Sequence, residues 1–197
     1  MLPQQFRKML LDVSEDEIVR AHITTPDPGP YLSSHNLRHI ESVIRTKFNL
    51  TNNERVSAIV VGSAKLGFSF LDKERDGVII KPAYRTYVAG VSDIDIAIVS
   101  PSVYGQIWSA LAGTGSHSQY FPVSSKLGNY MYHGWIRPDH FPSSKPQRCL
   151  DWDEAYRELK GDPGLRNKKL RLALYHSQHF LEIYQQRGIR IARNQEI

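Results

Sequence analysis

The sequence predicts a mixed α+β fold, in which a mixed β-sheet is flanked by helices and both ends of the chain add further helices. Two runs rich in apolar, β-branched residues, 56–61 and 91–100, predict buried strands, and two acids interrupt the second of them. Apolar residues at helical spacing in 33–48 and 100–113 predict helices that cover the sheet. The chain has 197 residues, 41% of them hydrophobic and 23% charged, which is enough for one domain with a real core.

Three segments divide the chain. Residues 1–50 predict an N-terminal helical segment, and 51–142 predict the core. Within the core, 71–90 is charged and is predicted to be an insertion or hairpin. Residues 143–197 predict a basic, helical C-terminal segment.

The last third of the chain shows three further patterns. Aromatic-rich stretches at 120–123 and 129–136 predict strands. Three acids, Asp151, Asp153 and Glu154, predict the start of a helix to about residue 160, because carboxylates suit the first turn of a helix. Apolar residues spread through 165–192 predict one long helix or a pair.

Composition limits the classes of function. The single cysteine, Cys149, excludes an internal disulfide and fits a reducing cytosol. No apolar run approaches the roughly 20 residues that span a bilayer, and the N-terminus lacks the apolar core of a signal peptide. We therefore expect a cytoplasmic protein without a membrane partner. A net charge of +5 and a pI of about 9.3 favour a phosphate-bearing partner.

The most informative residues are Asp93 and Asp95, two acids inside an isoleucine-rich strand. Side chains alternate along a strand, so the two carboxylates share a face, about 6.6 Å apart. Ile94, Ile96 and Ile98 then point the opposite way, into a core. Two ionised carboxylates on one face repel each other, and burying them without a partner is costly. A Mg²⁺ ion between them would remove that cost, since Mg²⁺ is often held by one or two carboxylates and substrate phosphates.

A turn that contains glycine and serine follows the first predicted strand. Gly62 and Ser63 stand directly after that strand, and Gly67 follows four positions later. Glycines at such a turn let the backbone approach a ligand closely. Free N–H groups at the start of a following helix can hold a phosphate. The alternative is a plain tight turn between a strand and a helix.

Together, the turn at Gly62-Ser63 and the strand Ser92-Asp93-Ile94-Asp95-Ile96 resemble the nucleotidyltransferase superfamily of DNA polymerase beta. The local pattern is similar to that of small single-domain bacterial nucleotidyltransferases, several of which belong to toxin–antitoxin or phage-defence systems. The resemblance covers residues 56–112. It implies a nucleotidyltransferase-like sheet, with 71–90 as an insertion between the two motifs.

The resemblance also implies a site and a reaction. The enzyme would transfer a nucleoside monophosphate from an NTP or dNTP, ATP among them, to a hydroxyl of a nucleic-acid end, a nucleotide or oligonucleotide, or a protein. Gly62, Ser63, Lys65 and Ser92 would contribute to the nucleotide site. Two Mg²⁺ ions, or Mn²⁺ in their place, would bind Asp93, Asp95 and a third carboxylate. Asp139, just past the predicted strand 129–136, is the candidate for that third ligand, ahead of Asp153 and Glu196.

Other functions stay open. Because no acid stands within the predicted strands 120–123 and 129–136, the chain is alternatively an inactive nucleotidyltransferase-fold protein that binds a partner, as in a toxin–antitoxin or defence pair. Its pI and basic C-terminal segment are also compatible with a plain nucleic-acid-binding domain. The simplest alternative is that Asp93 and Asp95 lie on the wet edge of a sheet.

Overall fold

A computed structural model describes residues 1–115 and 124–196 as a mixed α+β structure, with a four-stranded mixed sheet and a separate two-stranded hairpin. No helix in these residues is both long and apolar enough to cross a membrane. The helices are α1 Pro3–Asp12, α2 Glu15–Ile18, α3 Ser34–Lys47, α4 Ser63–Leu66, α5 Pro101–Gly115, α6 Ser124–Tyr132, α7 Gln147–Gly161 and α8 Gln178–Glu196. A π-helical turn, Val19–Ile23, extends α2, and a 3-10 turn covers Pro138–His140. The strands are β1 Ser57–Val61, β2 Lys73–Arg75, β3 Val78–Lys81, β4 Ile94–Val99, β5 Trp135–Ile136 and β6 Leu170–Tyr175.

Strand β4 lies at the centre of the sheet, whose order is β1-β4-β6-β5. It pairs antiparallel with β1 and parallel with β6, while β5 pairs antiparallel with β6. The strand predicted in 91–100 is confirmed over Ile94–Val99, so Asp95 lies in the strand and Asp93 just before it. The predicted insertion 71–90 contains the two-stranded hairpin of β2 and β3.

The sheet separates two apolar cores. Ile94, Ile96 and Ile98 are buried in a core with side chains from α3, α5 and α7, as the alternation predicts. Ala97 and Val99 point the other way, into a second core with side chains from α1, α2 and α8. Each face of the sheet is therefore covered by helices, except at the end of β4 that carries Asp95.

The prediction of one or two helices in 165–192 is wrong for the first part of that segment. Residues 170–175 form β6, which lies inside the sheet, and only α8 is helical. Leu170 and Leu174 alternate onto one face and are buried with the isoleucines of β4. The sheet that forms the core therefore includes a strand from beyond residue 142.

The prediction of a strand at 129–136 is wrong except at its end. Residues 124–132 form α6, and only Trp135 and Ile136 are in a strand. Leu127 and Met131, four residues apart, pack together against the first core, which is the spacing of a helix. The predicted strand 120–123 lies outside the described residues.

The helix predicted to begin at the three acids in fact begins at Gln147, directly after Pro146. Asp151 and Asp153 therefore lie inside α7, where they make ion pairs with Arg148 and Lys145, and the helix dipole does not explain them. The start of α5 at Pro101 is as predicted, with the backbone N–H of Val103 donating to Ser100 Oγ over 3.3 Å.

Candidate functional site

Asp95 occupies the acidic end of the central strand. It lies opposite Val61 of β1 on one side and opposite Arg171 of β6 on the other. Asp93 stands two residues earlier, just before β4 begins, and lines the same cavity. The structure therefore places both acids on one side of the strand, next to the end of β1.

The turn after β1 brings the backbone against Asp95. Gly62 has a φ of +67°, which L side chains rarely adopt, and it caps the short helix α4. A Cβ at Gly62 would stand only 3.2 Å from Asp95 Oδ2. A side chain at this position would therefore crowd the carboxylate. Glycine is favoured here by the conformation of the turn, and the absence of a Cβ lets the backbone approach Asp95 without displacing its carboxylate.

Asp95 carries an unfavourable charge when it is ionised. Burial, and secondly the negative charge of Asp93, raise the pKa of Asp95 to about 6. The positive charges of Arg171 and Arg137 oppose this rise without cancelling it. No side chain in the described residues forms a hydrogen bond or an ion pair with the Asp95 carboxylate. A cation beside Asp95 would therefore be stabilising.

Asp93 has a partner that the sequence pattern did not predict. Arg171 Nε lies 2.9 Å from Asp93 Oδ2, and both side chains are partly exposed. Residue 171 was predicted to be helical, which hid its position beside Asp95. The alternation of leucines at 170, 172 and 174 is the sequence signal that could have identified this strand.

A cavity of about 1690 Å³ opens over the two acids and the turn. Its walls are the sheet, the hairpin region, α8 and the segment around β5. Four acids line it, namely Asp93, Asp95, Asp139 and Asp153. Eight basic side chains also line it, namely Lys73, Lys81, Arg85, Arg137, Lys145, Arg171, Arg187 and Arg190. This excess of positive charge suits a polyanionic ligand.

Aromatic side chains form the wall of the cavity near Asp95. The Tyr130 and Trp135 rings have centroids 4.3 Å apart, and Tyr184 lies 4.9 Å from Trp135. Burial, with the nearby charge of Asp95 as a smaller cause, raises the pKa of the Tyr184 hydroxyl. These rings come from α6, β5 and α8, and no local pattern in the sequence connects them. They give the cavity a surface on which a planar group can stack.

The two serines that were predicted for the nucleotide site lie at the cavity. Ser63 is the first residue of α4 and lines the cavity. Ser92 also lines it, and its Oγ accepts a hydrogen bond from the backbone N–H of Val88 over 3.2 Å. Ser92 therefore closes the turn that leads into β4.

Lys65 lies elsewhere. Its side chain is almost completely buried, and its ammonium group donates to the carbonyls of Thr25 and Asp27. Desolvation lowers the pKa of Lys65, with Asp27 opposing this change. Lys65 thus holds the loop 25–30, which contains three prolines, against α4. It does not lie at the predicted nucleotide site.

Asp139 lines the cavity, but it is paired with a base. Arg137 Nε lies 2.8 Å from Asp139 Oδ1 and 3.0 Å from Oδ2. Among residues 1–115 and 124–196, no three His, Cys, Asp or Glu side chains gather closely enough to hold a metal ion. The expected set of Asp93, Asp95 and Asp139 is therefore not assembled in this structure.

The pair of Asp93 and Asp95 alone does fit Mg²⁺. Two carboxylates on one side of a strand, one of them with a raised pKa and without a hydrogen-bond partner, form a donor set that a hard cation stabilises. The open cavity leaves room for substrate phosphates and water to complete its coordination.

Comparisons of this chain with protein-family models, with curated proteins and with solved structures found no match. The resemblance to nucleotidyltransferases therefore stays a prediction, which rests on the two motifs.

Proposed function

We propose that the chain is a metal-dependent nucleotidyltransferase with a nucleotidyltransferase-type sheet, and that it transfers a nucleoside monophosphate from an NTP or dNTP to a hydroxyl. The observation that carries the proposal is the packing of Asp95 against Gly62. This contact joins the acid pair to the glycine-serine turn, although the chain separates the two motifs by about thirty residues. The excess of basic side chains around the acids supports a polyphosphate substrate.

Each part of the site has a task in this reaction. Asp93 and Asp95 would hold Mg²⁺, which neutralises phosphate charge when it is bound. The Ser63 hydroxyl donates to a phosphate oxygen beside the turn. Lys73 and Arg187, which make no ion pair within the described part of the chain, contact the departing pyrophosphate.

The chemistry is a displacement at the α-phosphorus. The acceptor oxygen forms a bond to this phosphorus, and the bond to the oxygen that bridges to the β-phosphate breaks. Pyrophosphate leaves with that oxygen, and the proton of the acceptor hydroxyl passes to the water that fills the open cavity. The protein contributes mainly position and charge, as is usual for phosphoryl transfer.

The proposal is tested by pyrophosphate release from each NTP and dNTP in the presence of Mg²⁺. We expect release by the wild type and a loss of at least about a hundred-fold in Asp93→Asn/Asp95→Asn, because charge stabilisation at a transition state contributes at this scale. Asp12→Asn is the matched control, since Asp12 is exposed on α1 and does not line the cavity. Equal release by the double variant would reject the proposal.

A second candidate is a binding protein that holds a nucleotide without turnover, such as one member of a toxin–antitoxin or defence pair. The pairing of Asp93 with Arg171 favours it. On the face shared with Asp95, strand β6 presents Arg171, Ala173 and Tyr175, and none of these is an acid. A guanidinium thus stands where the resemblance leads one to expect a third carboxylate on a later strand.

Nucleotide binding and turnover together separate the two candidates. The binding protein is expected to bind a fluorescent NTP analogue without releasing pyrophosphate. It is also expected to keep that binding in Arg171→Ala, because the basic side chains of the hairpin and α8 remain. Turnover that depends on Asp93 and Asp95 would exclude this candidate.

A further inference from the structure

A second pocket, of about 490 Å³, lies beside the main cavity. The end of α7, the loop 166–169, the start of β6 and Gly90 form its walls. Its basic side chains are Lys160, Arg166, Lys168, Lys169 and Arg171, and among the residues that the structure describes Asp93 is the only acid that lines it. We call it the basic pocket.

Most of these positive charges are held in place without being neutralised. Lys168 Nζ donates to the carbonyl of Tyr31 over 2.8 Å, and Lys169 Nζ donates to that of Val91 over 3.2 Å. Carbonyl groups position an ammonium group but leave it with its full charge. Lys160 lies over the Tyr156 ring, 5.4 Å from its centroid. Arg166 is exposed and makes no ion pair within the described residues. Like charges around one pocket repel one another, and an anion in the pocket would relieve that repulsion.

The basic pocket and the main cavity meet at Asp93. Three side chains, Asp93, Tyr156 and Arg171, line both of them. A ligand that lies in the basic pocket therefore has a direct route to the acid pair.

We infer that the basic pocket binds the phosphodiester backbone of a single nucleic-acid strand, whose terminal hydroxyl reaches Asp93 as the acceptor. This inference rests on the proposed function, and it selects one acceptor from those that the sequence left open. A protein acceptor would offer no phosphates to this cluster of basic side chains. A strand offers one phosphate per nucleotide, so several of them are bound at once.

The test measures the binding of labelled single-stranded RNA and DNA oligonucleotides by fluorescence anisotropy, without Mg²⁺ or NTP, over a range of salt concentrations. The variant is Lys160→Gln/Arg166→Gln, because these two side chains make no hydrogen bond that positions the backbone. The control is Lys8→Gln/Arg55→Gln, which removes the same charge. Lys8 and Arg55 are exposed and line neither pocket.

We expect the pocket variant to bind the strand about ten-fold more weakly at 0.15 M salt, because two phosphate contacts are lost. For the same reason, the slope of log K against log[salt] should become shallower by about 1.4. The affinity of the control variant for the strand should differ from that of the wild type by less than about two-fold, since distant exposed charges are largely screened. An equal loss in the control, or no salt-dependent binding at all, would overturn the inference. So would competition by a mononucleotide or inorganic phosphate that is as effective as competition by the strand.

Failure of this inference can be told apart from failure of the proposed function. Suppose that no pyrophosphate is released, but that the strand binds through the basic pocket, both in the wild type and in Asp93→Asn/Asp95→Asn. Then only the proposed reaction is wrong. If pyrophosphate release depends on the two acids but no strand binds, then the reaction stands and the acceptor is not a nucleic acid.

Discussion

The two faces of strand β4 differ in almost every physical respect. Ile94, Ile96 and Ile98 are buried in an apolar core with side chains from α3, α5 and α7. On the other face, Asp95 and its neighbour Asp93 lie at an open, positively charged cavity. The isoleucine face is fully satisfied by apolar packing. On the acidic face, a bound cation would stabilise the ionised carboxylate of Asp95.

The comparison shows how a single strand can hold an uncompensated charge in a fixed position. The backbone of Asp95 is hydrogen-bonded in a sheet and is anchored by the isoleucines on either side of it. The apolar face thus supplies the rigidity that the acidic face needs, because a site on a strand is positioned more accurately than one on a loop.

Removing the anchor should have the largest effect. We expect Ile96→Ala to lower the free energy of unfolding by about 3–4 kcal/mol, because it removes a fully buried side chain and leaves a cavity. Urea denaturation measures the change. The control, Leu11→Ala on the exposed side of α1, should change stability by less than about 0.5 kcal/mol. A loss below about 1 kcal/mol for Ile96→Ala would contradict the anchoring role.

Disturbing the contact between the turn and Asp95 should have the second largest effect. Gly62→Ala places a Cβ 3.2 Å from Asp95 Oδ2 and should displace the carboxylate, so pyrophosphate release should fall by about a hundred-fold. The matched control is Gly77→Ala at the hairpin tip. Gly77 also has a positive φ, of +79°, but a Cβ there would meet nothing within 4 Å. Both variants should lose a similar amount of stability from backbone strain. An equal loss of activity in both would show that strain, and not the contact with Asp95, is responsible.

Removing the charge of Asp95 should have a smaller effect, and it should raise the free energy of unfolding. Because the pKa of Asp95 is raised to about 6 in the folded protein, its ionisation destabilises the fold, and this cost develops as pH rises through the range of about 4 to 6. In metal-free buffer, Asp95→Asn should therefore stabilise the protein by about 2 kcal/mol at pH 7 and have little effect near pH 4.

Urea denaturation in EDTA from pH 4 to pH 8 measures this difference. Asp12→Asn, at an exposed position, should be within about 0.5 kcal/mol of the wild type at every pH. Added Mg²⁺ should stabilise the wild type and leave Asp95→Asn almost unchanged. A variant that is less stable than the wild type at pH 7 without metal would contradict the assignment of an uncompensated charge to Asp95.

Replacing Arg171 should have the smallest effect. Its ion pair with Asp93 is partly exposed, so Arg171→Met should change stability by less than about 1 kcal/mol. The same substitution removes a cation that competes with a metal for Asp93. Mg²⁺, measured by titration calorimetry, should therefore bind about five-fold more tightly. Arg55→Met, far from the acids, should leave Mg²⁺ binding unchanged, and weaker binding to Arg171→Met would show that the guanidinium helps to build the site.

Much of the fold near the site was predictable, because it depends on local spacing. Helix α3, the strands β1 and β4 and the start of α5 at Pro101 are all encoded within a few residues of each feature. The prediction failed where a short segment can be either helix or strand. The segment 170–175 is surrounded by basic and apolar residues that also suit a helix, and pairing with β4 makes it a strand.

The sequence by itself determined which side chains share a face of β4, because alternation along a strand is a property of the backbone. It also determined that a glycine turn follows β1. Only the tertiary structure decided which side chains surround the acids. The parallel pairing of β6 with β4 places Arg171 beside Asp95, across more than seventy residues of chain. No local pattern encodes such a pairing, because it depends on how the whole sheet assembles.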